Sequence, residues 1–195
     1  AKQRFTTWFN RRPKLKIGKR QGRVALFPTC LVEYQAPEVG HDLIKVYERN
    51  GIECTLADTT QCCGAPFLHS GDIDNFTKIA EKNVKALANT VRKGNDIVVP
   101  QPTCGYVLKK DYLDYVGGPD AELVAANTYD ASEYLMKVHK ADGTALDTEF
   151  NGDVPETITY HTPCHLRAQN IGLKSRDLMK LTGAKIKLVQ QCSGI

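Results

Sequence analysis

The residues best suited to chemistry in this 195-residue sequence are its seven cysteines. Two are adjacent in Gln61-Cys62-Cys63-Gly64, and roughly 130 residues later the pattern returns in part as Gln191-Cys192-Ser193-Gly194. Each copy lies downstream of a cysteine that closely follows an apolar run, Cys30 in the first half and Cys164 in the second. This self-similarity predicts an internal duplication whose second copy stops before it is complete.

Clustered thiols in a sequence without secretory features indicate metal binding or redox chemistry. Iron–sulfur clusters and zinc both take thiolates, because deprotonated sulfur is a soft donor. Zinc sites usually contain close-set Cys-x-x-Cys pairs, which this sequence lacks, so the wide spacing favours a multi-iron cluster. Two alternatives stay open: a metal-free thiol–disulfide enzyme in which Cys62 or Cys63 attacks, and a zinc-stabilised interaction domain.

The elements that must position these thiols alternate between strand and helix. Short apolar runs predict strands at residues 24–27, Ile52–Leu56 and 97–99, and a cysteine or a cysteine pair follows each strand. Such alternation predicts a parallel sheet, and ligands bind at the carboxyl edge of parallel strands. We therefore expect four thiols to converge at that edge. They belong to Cys30, Cys62, Cys63 and Cys104.

The predicted fold class is α/β, a three-layer, Rossmann-like domain with a parallel sheet, followed by the first half of a second, similar domain. Residues 1–23 are predicted to be a basic linker, 24–145 the first domain and 146–195 the truncated second domain. A polar stretch with Gly and Pro over residues 141–156 marks the boundary. Strands are predicted in the second part at 157–160 and Lys185–Val189.

Three helix starts carry local signals. Pro37 suits the first turn of one helix, and Ser70 or Asp72 can cap another. Asp130, with Glu133 three residues later, predicts a capping box. Cys54 lies inside an apolar strand and is predicted to be a buried apolar residue rather than a ligand.

Positive charge is concentrated at the start of the chain, where residues 1–23 hold nine Lys and Arg and no acidic residue. Because Phe5, Trp8 and Phe9 are interleaved with them, this segment could contact an anionic membrane surface or a nucleic acid. A solvated linker, or an arm that packs on a neighbouring domain, is the favoured interpretation. No nucleic-acid partner is predicted.

The composition, 42% hydrophobic and 25% charged, is that of an ordinary globular protein. The sequence has no apolar run long enough to span a membrane and no signal-peptide pattern. These observations predict a cytoplasmic location, with a peripheral position on the inner face of the cytoplasmic membrane as the alternative.

The series Cys30, Cys62-Cys63-Gly64 and Cys104, followed by a second partial copy, resembles the cysteine-rich CCG domain found twice in the B subunit of heterodisulfide reductase. It is also similar to the iron–sulfur subunits of glycolate oxidase, lactate-utilisation proteins and anaerobic glycerol-3-phosphate dehydrogenase. Further stretches, such as Tyr160-His161-Thr162-Pro163-Cys164-His165, resemble the C-terminal region of the iron–sulfur subunit of the last of these. The resemblance covers about residues 24–195.

The resemblance implies an iron–sulfur cluster of the [4Fe–4S] type, held by the four thiols of the first domain, with Gly64 allowing a tight backbone turn beside it. Cys164 and Cys192 are further candidate ligands. The fragment is also expected to occur without its metal, because such clusters are oxygen-sensitive.

The resemblance also implies a place in a larger complex. An electron-transfer subunit would take electrons from a flavin-containing dehydrogenase partner, of the glycerol-3-phosphate, glycolate or lactate type, and pass them to a quinone or a disulfide. Relatives of this kind begin with a ferredoxin-like region, so we expect such a region upstream of this fragment.

Three positions depart from the family pattern. Gln101 stands where the first cysteine of a Cys-x-x-Cys pair is often found, Ser193 replaces one cysteine of the second tandem pair, and the sequence ends at Ile195 before a third segment. Four thiols then remain in the first repeat, short of the five linked to noncubane clusters, and the second half is not expected to assemble its own cluster. His161 and His165, which flank Cys164, are predicted to be hydrogen-bonding loop residues rather than ligands.

Overall fold

The structure is a computed structural model that describes residues 3–15, 17–59 and 61–192. The strands are β1 Gly22–Leu26, β2 Ile52–Leu56, β3 Asp96–Val99, β4 Thr128–Asp130, β5 Thr157–His161 and β6 Lys185–Val189. The α-helices are α1 Phe5–Arg11, α2 Pro37–Arg49, α3 Ala65–His69, α4 Ile73–Arg92, α5 Pro102–Tyr106, α6 Tyr112–Tyr115, α7 Gly118–Ala126, α8 Ala131–Lys140, α9 Cys164–Ala168 and α10 Lys174–Lys180. π-Helical turns occur at Leu31–Gln35 and Val107–Asp111.

The main sheet has the strand order β2-β1-β3-β4, and each neighbouring pair is parallel. β5 and β6 form a separate two-stranded parallel sheet. Because parallel neighbours need crossover connections, helices cover the sheet, as the alternating sequence pattern predicts. The predicted α/β fold with a parallel, Rossmann-like layered sheet is confirmed.

Each face of the main sheet supports its own apolar core. Ala25 and Ile97 point to one face, where they pack with α4, α7 and the segment 107–115. Val24 and Val98, one residue along each strand, point to the other face and pack with α1, α2 and α8. Alternate residues of a strand point to opposite faces, so the buried parts of these strands, residues 24–26 and 97–99, are apolar without interruption and the domain has three layers.

The start of the chain was predicted to be a basic linker, but it contains the helix α1. Phe5 and Phe9 lie one helical turn apart, are both buried, and anchor α1 on the core that contains α2. Gly40 of α2 makes this possible, since a Cβ there would lie 2.6 Å from Phe5 Cδ2. One turn of apolar spacing is too short to give a recognisable periodic pattern, which explains why the sequence did not reveal this helix.

The predicted helix starts are confirmed. Pro37 occupies the first turn of α2. The Asp72 carboxylate accepts a hydrogen bond from the Asn75 N–H at 3.2 Å and so caps α4. Asp130 and Glu133 form the capping box of α8, with the Asp130 N–H donating to Glu133 Oε2 at 3.0 Å.

Two elements were not predicted. One is α7, which begins at a pair of glycines with positive φ, 65° at Gly117 and 78° at Gly118. β4 adds a fourth strand to the sheet. It has only three residues, so its sequence carries too little pattern to be recognised.

The stretch between the two sheets has no helix or strand over residues 142–156, in line with its polar sequence. It is nevertheless tied to the main domain, because the Ala145 N–H donates to Gln21 Oε1 at 2.8 Å and the Asp147 N–H donates to Asn50 Oδ1 at 2.6 Å. Both strands expected after it are present as β5 and β6. The division into two domains stays a prediction.

Among the residues the structure describes, no helix is both long and apolar enough to cross a membrane.

Candidate functional site

The four cysteines of the first half lie at the carboxyl ends of three neighbouring strands. Cys30 follows β1 and precedes the first π-helical turn, Cys62 and Cys63 follow β2, and Cys104 lies in α5 after β3. Hydrogen bonds between thiols join Cys30 to Cys62, Cys62 to Cys63, and Cys63 to Cys104. The structure therefore brings the four thiols together at one edge of the sheet, in the series Cys30, Cys62, Cys63 and Cys104, which we call the row.

The row runs from the surface to the core. Cys30 is exposed and Cys62 is half-buried, whereas Cys63 and Cys104 are only 3% and 6% exposed. These four are free thiols and not parts of disulfides. A group bound along this row would touch solvent at one end and the apolar core at the other.

A cleft of about 290 Å³ opens at the outer end of the row. Its lining residues include Cys30 and Cys62, together with Arg4 and Tyr34. The Arg4 guanidinium lies 5.1 Å from the centroid of the Tyr34 ring. The cleft gives solutes access to the two outer thiols, whereas Cys63 and Cys104 are buried.

The turn after the tandem pair depends on Gly64. Its φ is 95°, in the left-handed region, and a Cβ at this position would lie 2.8 Å from Phe76 Cδ2. The Gly64 N–H donates to Cys62 Sγ at 3.5 Å, and the Ala65 N–H donates to the Cys63 sulfur. A tight turn thus aims backbone donors at both sulfurs, which favours their deprotonated, ligand form.

The thiols themselves favour protonation in the absence of a metal. The hydrogen bond to Cys104 and burial raise the pKa of Cys63 to about 12, although the hydrogen bond from Cys62 lowers it. The hydrogen bond to Cys63, and then burial, raise the pKa of Cys62 well above its usual range. Burial, and then the contact with Cys62, raise the pKa of Cys30. A metal must therefore displace protons in order to bind here.

The donor set fits an iron–sulfur cluster in type and number, because four thiols with backbone N–H donors are the ligands that such clusters take. Within the parts of the chain that the structure describes, no group of three or more His, Cys, Asp or Glu side chains has the arrangement of a single-ion site. The thiols form a row and not a closed tetrahedron, so the site is not preformed for one zinc ion.

Cys164 and Cys192 line a cavity of about 600 Å³ whose other lining residues include Gln101, Thr103 and His165. Cys164 begins α9, and Arg167 Nη2 donates to its sulfur at 3.3 Å. Cys192 follows β6. Ser193 and Gly194, which complete the second tandem motif, lie outside the described residues.

One residue connects the cavity with the row of thiols. Gln101 lines the cavity and its Oε1 also accepts a hydrogen bond from Cys104 Sγ at 3.5 Å. His165 Nδ1 lies 3.0 Å from Thr103 Oγ1, and His161 Nε2 lies 3.0 Å from the Gln191 carbonyl oxygen. Both histidines therefore make hydrogen bonds, but His161 ends β5 and His165 lies in α9, so neither is the loop residue that was predicted. Cys54 is buried in β2, and burial raises its pKa, as expected of a structural thiol.

Residues 24–109 match the family model of the cysteine-rich domain called CCG. This segment contains most of β1, all of β2 and β3, and all four thiols of the row. This segment therefore resembles the CCG cysteine-rich domain. The resemblance noted in the sequence is thereby confirmed.

Curated relatives extend the similarity beyond the CCG domain. The B subunit of fumarate reductase (CoM/CoB) from Methanothermobacter marburgensis is 33% identical over 185 residues, which cover 91% of this chain and 34% of that protein. An uncharacterised iron–sulfur protein of Methanococcus maripaludis is 30% identical over 177 residues, 88% of this chain and 32% of that protein. The C subunit of anaerobic glycerol-3-phosphate dehydrogenase from Escherichia coli is 29% identical over 195 residues, 98% of this chain and 48% of that protein. The chain thus spans from 32% to 48% of the length of these relatives.

Sequence reasoning missed the polar residues that support the row. Asn83 and Tyr112 are fully buried, and both bond to the backbone of the tandem cysteines. The only signal in the sequence is that Asn83 interrupts the apolar stripe of α4, where a buried polar side chain needs a partner. Tyr112 carries no comparable signal, because a tyrosine in an apolar stripe is typical of core packing.

Proposed function

We propose that the CCG domain holds one iron–sulfur cluster and serves as an electron-transfer module of an oxidoreductase. The observation that carries the proposal is the row of four thiols at the carboxyl edge of the sheet. The ligands would be Cys30, Cys62, Cys63 and Cys104. When bound, the cluster supplies one-electron transfer, and the relative that is named an iron–sulfur protein supports this assignment.

The residues of the chain would shape the site around that cluster. The N–H groups of Gly64 and Ala65 point at sulfur, where they would stabilise thiolate charge and raise the reduction potential. The apolar core behind Cys63 and Cys104 would exclude water from the inner side. Cys30, at the exposed end, would lie nearest to an electron donor or acceptor that docks on the surface.

We propose a [4Fe–4S] cluster because the row has four thiols, matching four ligands. Gln101, which bonds to Cys104, contributes an amide and not a fifth thiolate. Cys164 and Cys192 supply only two further thiols, so we propose one cluster for these 195 residues. Cys164 and Cys192 remain candidate ligands, ranked below the four thiols of the row.

We propose that the partner is a flavin-containing dehydrogenase of the glycerol-3-phosphate, glycolate or lactate type, and that electrons leave to a quinone or a disulfide. The names of the relatives, which include subunits of a reductase and a dehydrogenase, support a partner chain in a complex. The proposed location is cytoplasmic or peripheral on the inner membrane face. We also propose that a ferredoxin-like region belongs to the same assembly.

The metal-free alternative is disfavoured by the thiols themselves. A disulfide-exchanging cysteine needs thiolate character near neutral pH. Neighbouring thiols and burial raise the pKa of Cys62 and of Cys63, which makes both weak nucleophiles. The zinc alternative gains no support from the row, which lacks a tetrahedral arrangement.

The test is the iron, acid-labile sulfide and zinc content of protein purified without oxygen. We expect about four iron and four sulfide per chain in the wild type, and loss of most of both in Cys62→Ser. Cys54→Ser is the matched control, because Cys54 is a buried thiol outside the row, and it should retain the cluster. One zinc with no sulfide, or no metal after anaerobic reconstitution, would overturn the proposal.

A further inference from the structure

The turn that carries the tandem cysteines is held by buried side chains instead of by a strand or a helix. Residues 61–63 lie between β2 and α3 and form no regular element. The carbonyl groups of Cys62 and Cys63 nevertheless both receive hydrogen bonds from inside the core. A buried carbonyl group without a hydrogen-bond partner raises the free energy of the folded state. The donors that reach these two groups therefore determine the position of the turn.

Two residues provide these donors. Asn83 Nδ2 donates to the Cys62 carbonyl oxygen at 2.9 Å and to the Tyr112 hydroxyl oxygen at 2.9 Å. The Tyr112 hydroxyl in turn donates to the Cys63 carbonyl oxygen at 2.9 Å. The two peptide units of the tandem pair are thus held by side chains from two different elements, α4 and α6.

The orientation of the Asn83 amide is set by a third residue. Thr59 Oγ1 donates to Asn83 Oδ1 at 2.7 Å and accepts a hydrogen bond from the Gln61 N–H at 3.2 Å. With its oxygen bonded to Thr59, the amide must present its NH₂ group to Cys62 and Tyr112. Both N–H bonds and the oxygen of Asn83 are therefore used, which leaves a single arrangement of the network.

The location of these polar groups points to a positional role. Asn83 and Tyr112 are both 0% exposed and lie in the apolar core that also contains Cys63 and Cys104. An apolar residue of similar size could fill either position without the need for hydrogen bonds. The network thus adds a fixed geometry for the turn, beyond the filling of space.

That geometry solves a problem specific to adjacent cysteines. Successive side chains tend to diverge, yet Cys62 reaches Cys30 on one side while Cys63 reaches Cys104 on the other, and the two thiols also bond to each other. We propose that Asn83 and Tyr112 are positioning residues, which hold the peptides of Cys62 and Cys63 so that both sulfurs face one cluster. This inference rests on the proposed function.

The test compares two Tyr→Phe variants. Tyr112→Phe removes only the hydroxyl that bonds to Cys63. Tyr47→Phe is the matched control, because the Tyr47 hydroxyl is also buried and also donates to a backbone carbonyl, that of Ala131 at 2.7 Å, but in the opposite core. Tyr112→Phe loses two buried hydrogen bonds, one donated to Cys63 and one accepted from Asn83, whereas Tyr47→Phe loses the one donated to Ala131. Tyr112→Phe should therefore destabilise the fold somewhat more, and stability is not the quantity that decides the test.

The readouts concern the thiols and not stability. In protein loaded with iron and sulfide, Tyr112→Phe should change the EPR spectrum and the midpoint potential of the cluster, and Tyr47→Phe should change neither. In metal-free protein, the alkylation rate of Cys63 relative to that of Cys30 should rise roughly threefold or more in Tyr112→Phe and stay at the wild-type ratio in Tyr47→Phe.

A second pair of variants tests the same network, so that the conclusion does not depend on the correct folding of Tyr112→Phe. Thr59→Val keeps the shape of the side chain but removes the hydroxyl that orients Asn83, and Thr59→Ser restores it. We expect Thr59→Val to behave like Tyr112→Phe in both readouts, and Thr59→Ser to behave like the wild type.

The two proposals fail in different ways. Wild-type protein that holds no iron and sulfide would overturn the proposed function, and the alkylation ratios would still decide whether the network positions the thiols. Normal cluster content in the wild type, with Tyr112→Phe and Tyr47→Phe alike in spectrum, potential and alkylation, would overturn the positioning role and leave Asn83 and Tyr112 as ordinary core residues.

Discussion

Cys62 and Cys63 are neighbours in the chain but have different surroundings. Cys62 lies beside the exposed Cys30 at the outer cleft, and Cys63 lies beside Cys104 in the core. The hydrogen bond to Cys104 and burial raise the pKa of Cys63 to about 12, so its thiol stays protonated at neutral pH unless a metal replaces the proton. Cluster assembly should therefore release protons and should become easier as pH rises.

The order of thiol reactivity follows from this difference. In metal-free protein treated with iodoacetamide, Cys30 should be labelled at least roughly tenfold faster than Cys63. A raised pKa leaves less thiolate at any given pH, so labelling of Cys63 should keep rising towards pH 12, whereas an ordinary thiol levels off above its value of 9.0. Peptide mass spectrometry over a pH series measures both rates, and equal rates for the two cysteines would contradict the structure.

The same shift has a consequence for stability. The pKa of Cys63 is raised from 9.0 to about 12, so the protonated thiol favours the folded state. That contribution is complete below about pH 9 and is lost as pH rises from about 9 to about 12. Metal-free protein should accordingly lose stability over this alkaline range, which urea denaturation at a series of pH values measures.

At the scale of elements, α1 is a part of the apolar core on one face of the main sheet. Phe5 is fully buried against Val32 and Gly40, and Phe9 is 7% exposed. Arg12, directly after the helix, pairs with Glu48 at 2.6 Å, and both side chains are almost completely buried. Three different interactions, two apolar and one ionic, thus attach the basic start of the chain to the rest of the domain.

The attachment of α1 can be measured. Phe5→Ala should lower the free energy of unfolding by about 3 kcal/mol, because it removes a fully buried aromatic side chain. Leu15→Ala is the control in the same segment, since Leu15 is 53% exposed, and it should change the free energy by less than about 0.5 kcal/mol. Urea denaturation followed by circular dichroism gives both values. Equal, small effects would mean that α1 is a solvated arm, as the sequence alone suggested.

At the scale of the whole molecule, the two sheets differ in burial. The main sheet is covered on both faces, and the second half of β1 and most of β3 are fully buried. The strands β5 and β6 have no fully buried residue. The second sheet is joined to the first part through its helices and their flanking residues, where Gln169 Nε2 donates to the Pro102 carbonyl oxygen at 3.1 Å and Ser175 Oγ donates to Ser132 Oγ at 3.1 Å.

This difference in burial predicts which of the two sheets opens more readily by local unfolding. The amides of β5 and β6 should exchange with deuterium much faster than those of β1 and β3, because few buried apolar contacts oppose their opening. Hydrogen-exchange mass spectrometry on the whole chain measures the rates. Equal protection of the two sheets would show that the second sheet is held by interactions beyond those described.

Local sequence patterns were sufficient for much of the architecture. The apolar runs before Cys30, Cys62 and Cys104, separated by helical stretches, specified a parallel sheet, and chain topology alone then placed the cysteines at one edge. Capping signals such as Asp72 and Asp130 located helix starts, because a cap is a contact between residues a few positions apart. Interactions between residues a few positions apart can therefore be recognised in the sequence.

Tertiary structure decided what depends on distant residues. The packing of α1 rests on Phe5 meeting Gly40, and the support of the tandem cysteines rests on Tyr112 meeting a carbonyl 49 positions away. The order of the thiols, from exposed Cys30 to buried Cys104, is likewise set by how far each loop enters the apolar core. Such contacts leave no periodic trace in the sequence, since they join side chains whose spacing along the chain is arbitrary.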